Sequence, residues 1–175
     1  MRQLRQELDR FWQWAKMSPL EYSKEIGGEW ETEYPHWDSI YSCVEHEISE
    51  IERVGETNAI SDILEAMAID NECENILDML EEYNKVSQLI INKYSTYCQP
   101  KARWQIAELI KRVQLESGKD ILVKMIIKDH DKYAQRRALL SLDFLSHDEA
   151  KKYASLKIND EDKYLKMVCE KVLSY

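Results

Sequence analysis

Acidic side chains are concentrated in one stretch of the chain. Between Glu29 and Glu82 the sequence has seventeen Asp or Glu residues and one basic residue, Arg53, which gives a formal charge of −16. Residues 1–28 are close to neutral (+1) and residues 83–175 are basic (+6), so the total is −9. A surface built from such a stretch attracts cations or a basic protein. The pattern therefore favours binding over catalysis.

The carboxylates of the acidic stretch recur at helical spacing. Asp38, Glu45 and Glu52 are seven residues apart, which predicts one acidic ridge along a helix. Glu74, Asp78 and Glu82 are four residues apart, which predicts a second ridge. Like charges at this spacing cost a helix roughly 0.2–0.5 kcal/mol per pair, and no lysine alternates with them. An acidic surface kept for solubility is the alternative. The residues expected to contact a partner are Trp30, Glu31, Glu33, Tyr34, Asp38, Glu45, Glu52, Asp70, Glu74, Asp78 and Glu82.

Aromatic residues accompany the start of the acidic stretch. Trp30 and Tyr34 lie in an irregular segment after two glycines, and Trp37 and Tyr41 lie on the helix predicted to follow it. Aromatic anchors surrounded by charge are typical of protein interfaces, because the ring supplies binding energy while the charges steer encounter. We expect Trp30 and Tyr34 to contact a partner and Trp37 and Tyr41 to pack in the core.

Signals for metal binding and catalysis are weak. Cys43 and His46 are three residues apart on a predicted helix, but a second pair of ligands is missing. Four aspartates resemble fragments of a calcium loop without its glycine and glutamate, and are better interpreted as helix caps: Asp129, Asp131, Asp160 and Asp162. The sequence has no glycine-rich phosphate loop and no Gly-x-Ser-x-Gly. We expect no catalytic residue, no metal and no cofactor.

The remaining composition predicts a cytoplasmic protein. The four cysteines are widely separated, which favours reduced thiols, and the longest apolar runs are too short to cross a bilayer. The first residues lack the apolar stretch of a signal peptide. An isoelectric point near 5.0 opposes direct binding to nucleic acid. We expect a monomer when free, with no membrane partner.

Apolar residues at helical spacing predict an all-α fold. Trp37, Tyr41, Val44, Ile48 and Ile51 form one such stripe, and only four glycines and three prolines are available for turns. The predicted helices span 2–17, 19–26, 37–53, 58–69, 71–83, 85–97, 100–114, 118–128, 131–145, 147–158 and 162–174.

A repeat organises the C-terminal two thirds. The segment from Ile127 to Tyr133 returns from Ile158 to Tyr164, a shift of 31 residues. The same shift relates three sets of positions: 107, 138 and 169; 60, 91, 122 and 153; and 63, 94, 125 and 156. This period fits two short helices with their turns, which is typical of an α-solenoid.

With Pro100 and Arg103 opening one helix before Ala107, this pattern resembles HEAT-like repeats over roughly residues 57–175. The aspartate-valine-arginine run common in such repeats is absent. The resemblance implies a right-handed α-solenoid of about four helix pairs, residues 57–175, as one continuous unit with an N-terminal helical cap, residues 1–56. It implies no catalytic residues, because HEAT-like arrays share none.

The chain also resembles bacterial immunity proteins that accompany nuclease toxins. Such toxins are basic because they hold phosphate, and an acidic helical surface can cover that site. The implied partner is a basic protein, a cognate nuclease toxin, and the implied function is inhibition. A non-catalytic HEAT-like adaptor or scaffold is the alternative. An enzyme acting on a cationic substrate is a third possibility, and its mark is a deep pocket with a buried carboxylate of raised pKa.

Overall fold

The computed structural model describes residues 2–25, 33–55 and 58–174 of the chain. Over these residues the fold is all-α, as predicted, and contains eleven α-helices. The helices are α1 (Gln3–Ala15), α2 (Pro19–Glu25), α3 (Trp37–Val54), α4 (Ile60–Ile69), α5 (Asn75–Glu81), α6 (Asn84–Tyr94), α7 (Pro100–Arg112), α8 (Lys119–Lys128), α9 (Lys132–Leu145), α10 (His147–Lys157) and α11 (Lys163–Leu173). A 3₁₀ turn, Glu116–Gly118, precedes α8. Within the described residues, no helix combines the length and apolar character that crossing a membrane requires.

Most predicted helices are present with ends that differ by one to three residues, and α5 is the main exception. The sequence predicts a helix over 71–83, whereas α5 spans Asn75–Glu81. Glu74 before it has a left-handed backbone with φ of 57°. The side chain of Asp70 accepts a hydrogen bond from the backbone N–H of Ile76 at 2.8 Å. This side-chain bond to the backbone replaces a first helical turn, which is why the helix begins late.

The chain divides into two compact units. The first comprises Met1–Ile90 with Tyr97–Ala102, and the second comprises Ile91–Thr96 with Arg103–Tyr175. Within the first unit, α1 packs on α3 and α4, and α3 packs on α4 and α5. The helices before residue 56 therefore share a core with α4 and α5.

The core of the first unit is made by apolar stripes on these helices. Leu4, Leu8 and Phe11 of α1 are fully buried, and so are Ile40, Val44 and Ile48 of α3. Burial of each such side chain contributes about 1.5–3 kcal/mol before the entropic cost of ordering it. Because each stripe covers one side of its helix, the other sides of α1 and α3 remain available for polar groups.

A charged cluster joins α1 to α4 within the first unit. The guanidinium of Arg5 donates two hydrogen bonds to the carboxylate of Glu65, at 2.9 and 2.8 Å. Trp12 Nε1 donates a third to the same carboxylate at 2.6 Å, and Arg2 pairs with Asp62 at 3.1 Å. The bonds to Glu65 raise the pKa of Arg5. Two carboxylates of the acidic stretch are thus neutralised by α1.

In the second unit, two turns have the same local structure. Before α9, Asp129 accepts a hydrogen bond from the backbone N–H of Asp131 at 2.9 Å, and Asp131 caps the helix by accepting from Ala134 N at 2.7 Å. Before α11, the side chain of Asp162 accepts from Leu165 N at 2.7 Å. The interpretation as helix caps is confirmed for Asp131 and Asp162, whereas Asp129 and Asp160 accept hydrogen bonds from the backbone N–H groups of those two cap residues.

A basic side chain also binds the first aspartate of each turn. Arg103 donates two hydrogen bonds of 2.7 Å to Asp129, and Lys132 Nζ binds both carboxylate oxygens of Asp160 at 2.8 and 2.7 Å. In each turn the first aspartate therefore has both a backbone donor and a cation. The two turns, which lie 31 residues apart in the sequence, therefore share the same kinds of bond to their first aspartate.

The three sets of positions related by the shift differ in burial. Ala107, Ala138 and Cys169 are all fully buried, as expected for positions where helices approach closely. In the set that contains the buried Ile63 and Met125, however, Leu156 is 74 % exposed. Positions related by the shift are therefore equally buried in the set of Ala107, Ala138 and Cys169, but not in the set that contains Leu156.

The capping role of Asp131 can be tested by stability. We expect Asp131→Ala to lower the free energy of unfolding by about 1 kcal/mol, because the N–H of Ala134 loses its acceptor. Asp131→Asn should retain most of the stability that the cap contributes, since asparagine also caps helices. Urea unfolding followed by circular dichroism measures both, with the exposed Glu161→Ala as control. Equal losses for the Asn and Ala variants would contradict capping.

Candidate functional site

Several carboxylates of the acidic stretch are bound within the fold and do not face a partner. Asp62 and Glu65 bind the arginines of α1, and Glu50 pairs with Arg53 at 2.6 Å. Among the described carboxylates of the stretch, those at least partly exposed are Glu33, Asp38, Glu45, Glu47, Glu50, Glu52, Glu65, Glu72, Glu74, Asp78, Glu81 and Glu82. The candidate site has to be found within this smaller group.

Glu52, an expected contact residue, acts as a helix cap. Its carboxylate accepts hydrogen bonds from the backbone N–H groups of Lys85 at 3.4 Å and Val86 at 3.1 Å, in the first turn of α6. These N–H groups have no partner inside the helix, and a negative charge is favoured at this end. Glu52 therefore stabilises the start of α6.

Asp70, also an expected contact residue, is only 3 % exposed. Tyr41 Oη donates to one carboxylate oxygen at 2.8 Å, and the N–H of Ile76 donates to the other at 2.8 Å. The pKa of Asp70 is raised to about 6, mainly by burial and to a smaller extent by the charges of Asp78 and Glu74, although the two hydrogen bonds lower it. Asp70 therefore orders the turn before α5 and is not a surface contact.

The side of α3 that carries Asp38 and Glu45 lies beside the segment that contains α5. Tyr41 accepts a hydrogen bond from Asn75 Nδ2 at 3.0 Å, and Ser49 Oγ lies 3.3 Å from Tyr83 Oη. The later residue of α3 contacts the later residue of the other segment, so α3 and α5 run in the same direction. The two acidic ridges predicted from the sequence are thus neighbours, and Asp38 and Glu45 are exposed on the α3 side.

The second predicted ridge surrounds a short helix. Glu74 precedes α5, Asp78 lies inside it and Glu82 follows its last residue. Asp78 and Glu82 are exposed and Glu74 is half-buried. The backbone N–H of Asp78 donates to the carbonyl of Glu74 at 3.0 Å, so the spacing of one helical turn is kept between these two.

The described aromatic residues of this region differ in burial. Tyr34 is 4 % exposed, with its ring edge-on to Phe11 at 5.1 Å and to Trp14 at 5.2 Å between centroids. Trp37 and Tyr41, predicted in the core, stack on each other at 5.4 Å and are half-buried. The ring of Tyr34 is buried because it packs on two rings of α1, a contact between residues 20 or more positions apart that helical periodicity does not predict. Of the other predicted contacts, Glu33 is exposed, and Trp30 and Glu31 lie outside the described residues.

A cavity of about 380 Å³ lies between α1 and α3. Its lining includes Glu7, Asp38, Ser42, Cys43, His46 and Glu47. No lysine or arginine lines it among the residues that the structure describes. Three carboxylates thus face one opening, and only Asp38 belongs to the contact residues expected from the sequence. Glu7 could not be predicted, because it lies outside the acidic stretch and reaches the cavity only through the packing of α1 on α3.

Glu7 is the most deeply placed carboxylate of this cavity. Its side chain is 10 % exposed, and one of its oxygens accepts a hydrogen bond from the exposed Arg10 at 2.9 Å. Cys43 beside it is 6 % exposed, and burial raises the pKa of its thiol, with a further contribution from the charges of Glu7 and Glu47. The thiol is therefore held in its protonated form, in which it is a poor nucleophile.

Cys43 and His46, which the sequence suggested as a weak pair of metal ligands, both line this cavity. In the described part of the chain, no three Cys, His, Asp or Glu residues are grouped as a metal ion requires. A second cavity of about 500 Å³ is lined by Arg5, Trp12 and Glu65, whose polar groups are bonded to each other. Asp70, the buried carboxylate with a raised pKa, lines neither cavity.

No protein-family model, no curated protein and no solved structure matches this chain. The functional interpretation therefore depends on the geometry and charge of the residues described above.

The pKa of Asp70 predicts a pH dependence of stability. A carboxyl group whose pKa rises from 3.8 to about 6 on folding contributes stability below pH 3.8 that is lost as the pH rises through 6. Asp70→Asn removes this titration. We expect the free energy of unfolding of the variant, relative to the parent protein, to increase by about 2 kcal/mol between pH 4.5 and 7.5. Urea unfolding at both pH values measures it.

The exposed Glu72→Gln is the matched control for Asp70→Asn, and its difference from the parent should change little with pH. If the Asp70→Asn difference also stays constant, Asp70 titrates as an ordinary solvated carboxyl group and its burial has no electrostatic cost.

Proposed function

We propose that the chain is a protein-binding inhibitor of the immunity-protein type, which covers the active site of a basic, nuclease-type toxin. The observation that carries this proposal is the set of carboxylates on α3 and at the cavity beside it. Asp38, Glu45 and Glu47 take part in no ion pair among the described residues, and the described lining of the cavity includes no lysine or arginine. We call Glu7, Asp38, Glu45 and Glu47 the α3 acidic surface.

The α3 acidic surface has the electrostatic character that such an inhibitor needs. A site that holds phosphate must present lysines and arginines, so a partner of that kind is attracted over distances set by the Debye length of about 8–10 Å. Charges of this kind accelerate association more than they increase affinity. The neighbouring Glu74, Asp78 and Glu82 around α5 extend the negative surface on one side of α3.

The fold that we propose for this function is a HEAT-like, right-handed α-solenoid with a period of about 31 residues. Support comes from the two alike turns before α9 and α11, each with a capping aspartate and a cation bound to the preceding aspartate. Burial of Ala107, Ala138 and Cys169 adds to it. We further propose that the protein is cytoplasmic and monomeric until it meets its partner.

The proposal is tested by identifying the partner and reversing charges on the α3 acidic surface. Affinity purification of the tagged chain from its native cells at low salt, with mass spectrometry, should recover a basic nuclease. Its activity should disappear when one equivalent of the chain is added. The double variant Asp38→Lys/Glu45→Lys should slow association about tenfold or more at low salt, measured by stopped flow, because steering is lost.

The matched control is Glu161→Lys/Glu170→Lys, which makes the same change of net charge on exposed residues of the second unit. It should change the association rate much less. Equal effects of the two double variants would mean that net charge alone acts and that α3 is not the docking surface. A basic partner that binds with full retention of its activity would favour the adaptor over the inhibitor.

A further inference from the structure

Trp14 is an exposed aromatic side chain that lies outside the acidic stretch. It is near the end of α1 and is 43 % exposed. Among the described Phe, Trp and Tyr residues of the first unit, it is the only one that is exposed rather than buried or half-buried. An exposed indole leaves a large apolar area in water, and tryptophan is enriched at the energetic centres of protein interfaces. Trp14 therefore marks a surface suited to a protein contact.

The Trp14 ring is held in place by neighbouring rings. Its centroid lies 6.0 Å from that of Phe11 and 5.2 Å from that of Tyr34, and both of these residues are buried. Trp37 of α3 contacts the same two rings at 5.6 and 6.0 Å. A side chain fixed by packing loses little conformational entropy when a partner covers it. We call Phe11, Trp14, Tyr34 and Trp37 the aromatic cluster.

The charges beside the aromatic cluster indicate which kind of partner fits. Glu33 and Asp38 are sequence neighbours of two of its rings, are exposed, and take part in no ion pair among the described residues. Arg10 lies one turn before the exposed tryptophan on α1 and is paired with Glu7 at 2.9 Å. Lys16 lies just past the end of α1. Three carboxylates thus stand against two cations, which favours a basic partner over an acidic one.

We infer that Trp14 anchors the basic partner, and that an arginine or lysine side chain of that partner lies against its indole ring. The inference rests on the proposed function, which supplies a partner rich in such side chains. Tryptophan attracts a cation more strongly than the other aromatic residues do, and the methylene stem of the same side chain covers apolar area. The α3 acidic surface then accelerates association, while Trp14 prolongs the lifetime of the complex.

The sign of the charge around Trp14 can be measured before any partner is known. Caesium and iodide ions both quench tryptophan fluorescence, and the difference between the parent protein and Trp14→Phe isolates the signal of Trp14. Relative to N-acetyltryptophanamide, caesium should quench this signal about twofold more efficiently than iodide, because a negative potential concentrates cations. Glu33→Gln/Asp38→Asn should remove the preference. Quenching by iodide that is equal or stronger in the parent protein would overturn the inference.

Dissociation of the purified partner tests the contact itself. Trp14→Ala should raise the dissociation rate about tenfold or more and change the association rate less than about twofold, because an anchor acts mainly on the lifetime of a complex. Trp14→Leu, which keeps apolar packing but loses the indole, serves if the alanine variant fails to fold. Surface plasmon resonance measures both rates.

Two controls locate the effect. Phe144→Ala removes an exposed aromatic residue of the second unit, which is 63 % exposed, and should leave both rates unchanged. Tyr34→Phe keeps the ring of the aromatic cluster and removes a buried hydroxyl that has no hydrogen-bond partner among the described residues, so it should also leave them unchanged. Equal effects of Trp14→Ala and Phe144→Ala would overturn the inference.

Three further outcomes separate the inference from the inhibitor proposal and from another occupant. An unchanged dissociation rate for Trp14→Ala would refute the anchor while the inhibitor proposal stands. A basic partner that Trp14 anchors, but that keeps its full activity in the complex, would refute the inhibitor proposal alone. A dimer of the free chain in sedimentation velocity that Trp14→Ala dissociates would mean that a second copy covers Trp14, and would overturn the inference.

Discussion

The contact between Arg5 of α1 and Glu65 of α4 is the constraint on which the first unit depends. It is bidentate, it is shared with the indole N–H of Trp12, and it is reinforced by Arg2 on Asp62. Charge-assisted bonds of this geometry fix orientation as well as distance. Because Arg5 holds one side of α1 against α4, the opposite side of α1, with Gln3 and Glu7, faces α3 and forms the cavity.

This arrangement separates structural from surface carboxylates within one acidic stretch. Asp62 and Glu65 are neutralised by arginine, Glu52 caps α6, and Asp70 orders the turn before α5. Each of these four carboxylates stabilises local structure and contributes less negative charge to the surface. The other carboxylates of the stretch lie mainly on α3 and around α5, so the negative field comes from fewer side chains than the composition implies. Such a field is confined to a smaller part of the surface than the field of a uniformly acidic protein.

Several basic residues of the second unit are paired with acids of the same unit. Arg103 binds Asp129, Lys132 binds Asp160, and Glu108 is approached by Lys111, Arg112 and Arg137. Arg137 also lies over the ring of Trp104 at 4.9 Å. The excess of positive charge in residues 83–175 therefore includes cations that hold turns and helices together. A count of charges along the sequence does not distinguish these from cations open to solvent.

Local signals in the sequence determined most of the fold. Helical periodicity located eleven helices, and the spacing of Asp131 and Asp162 from the residues that follow identified two helix caps, because both depend on residues within one or two turns. The site depended on contacts between distant residues. Whether Asp70 faces solvent was decided by Tyr41, 29 residues away, and the neutralisation of Glu65 by Arg5, 60 residues away. Only the packing of α1 against α3 and α4 brings Glu7 beside Asp38, since burial and charge pairing are properties of the assembled core.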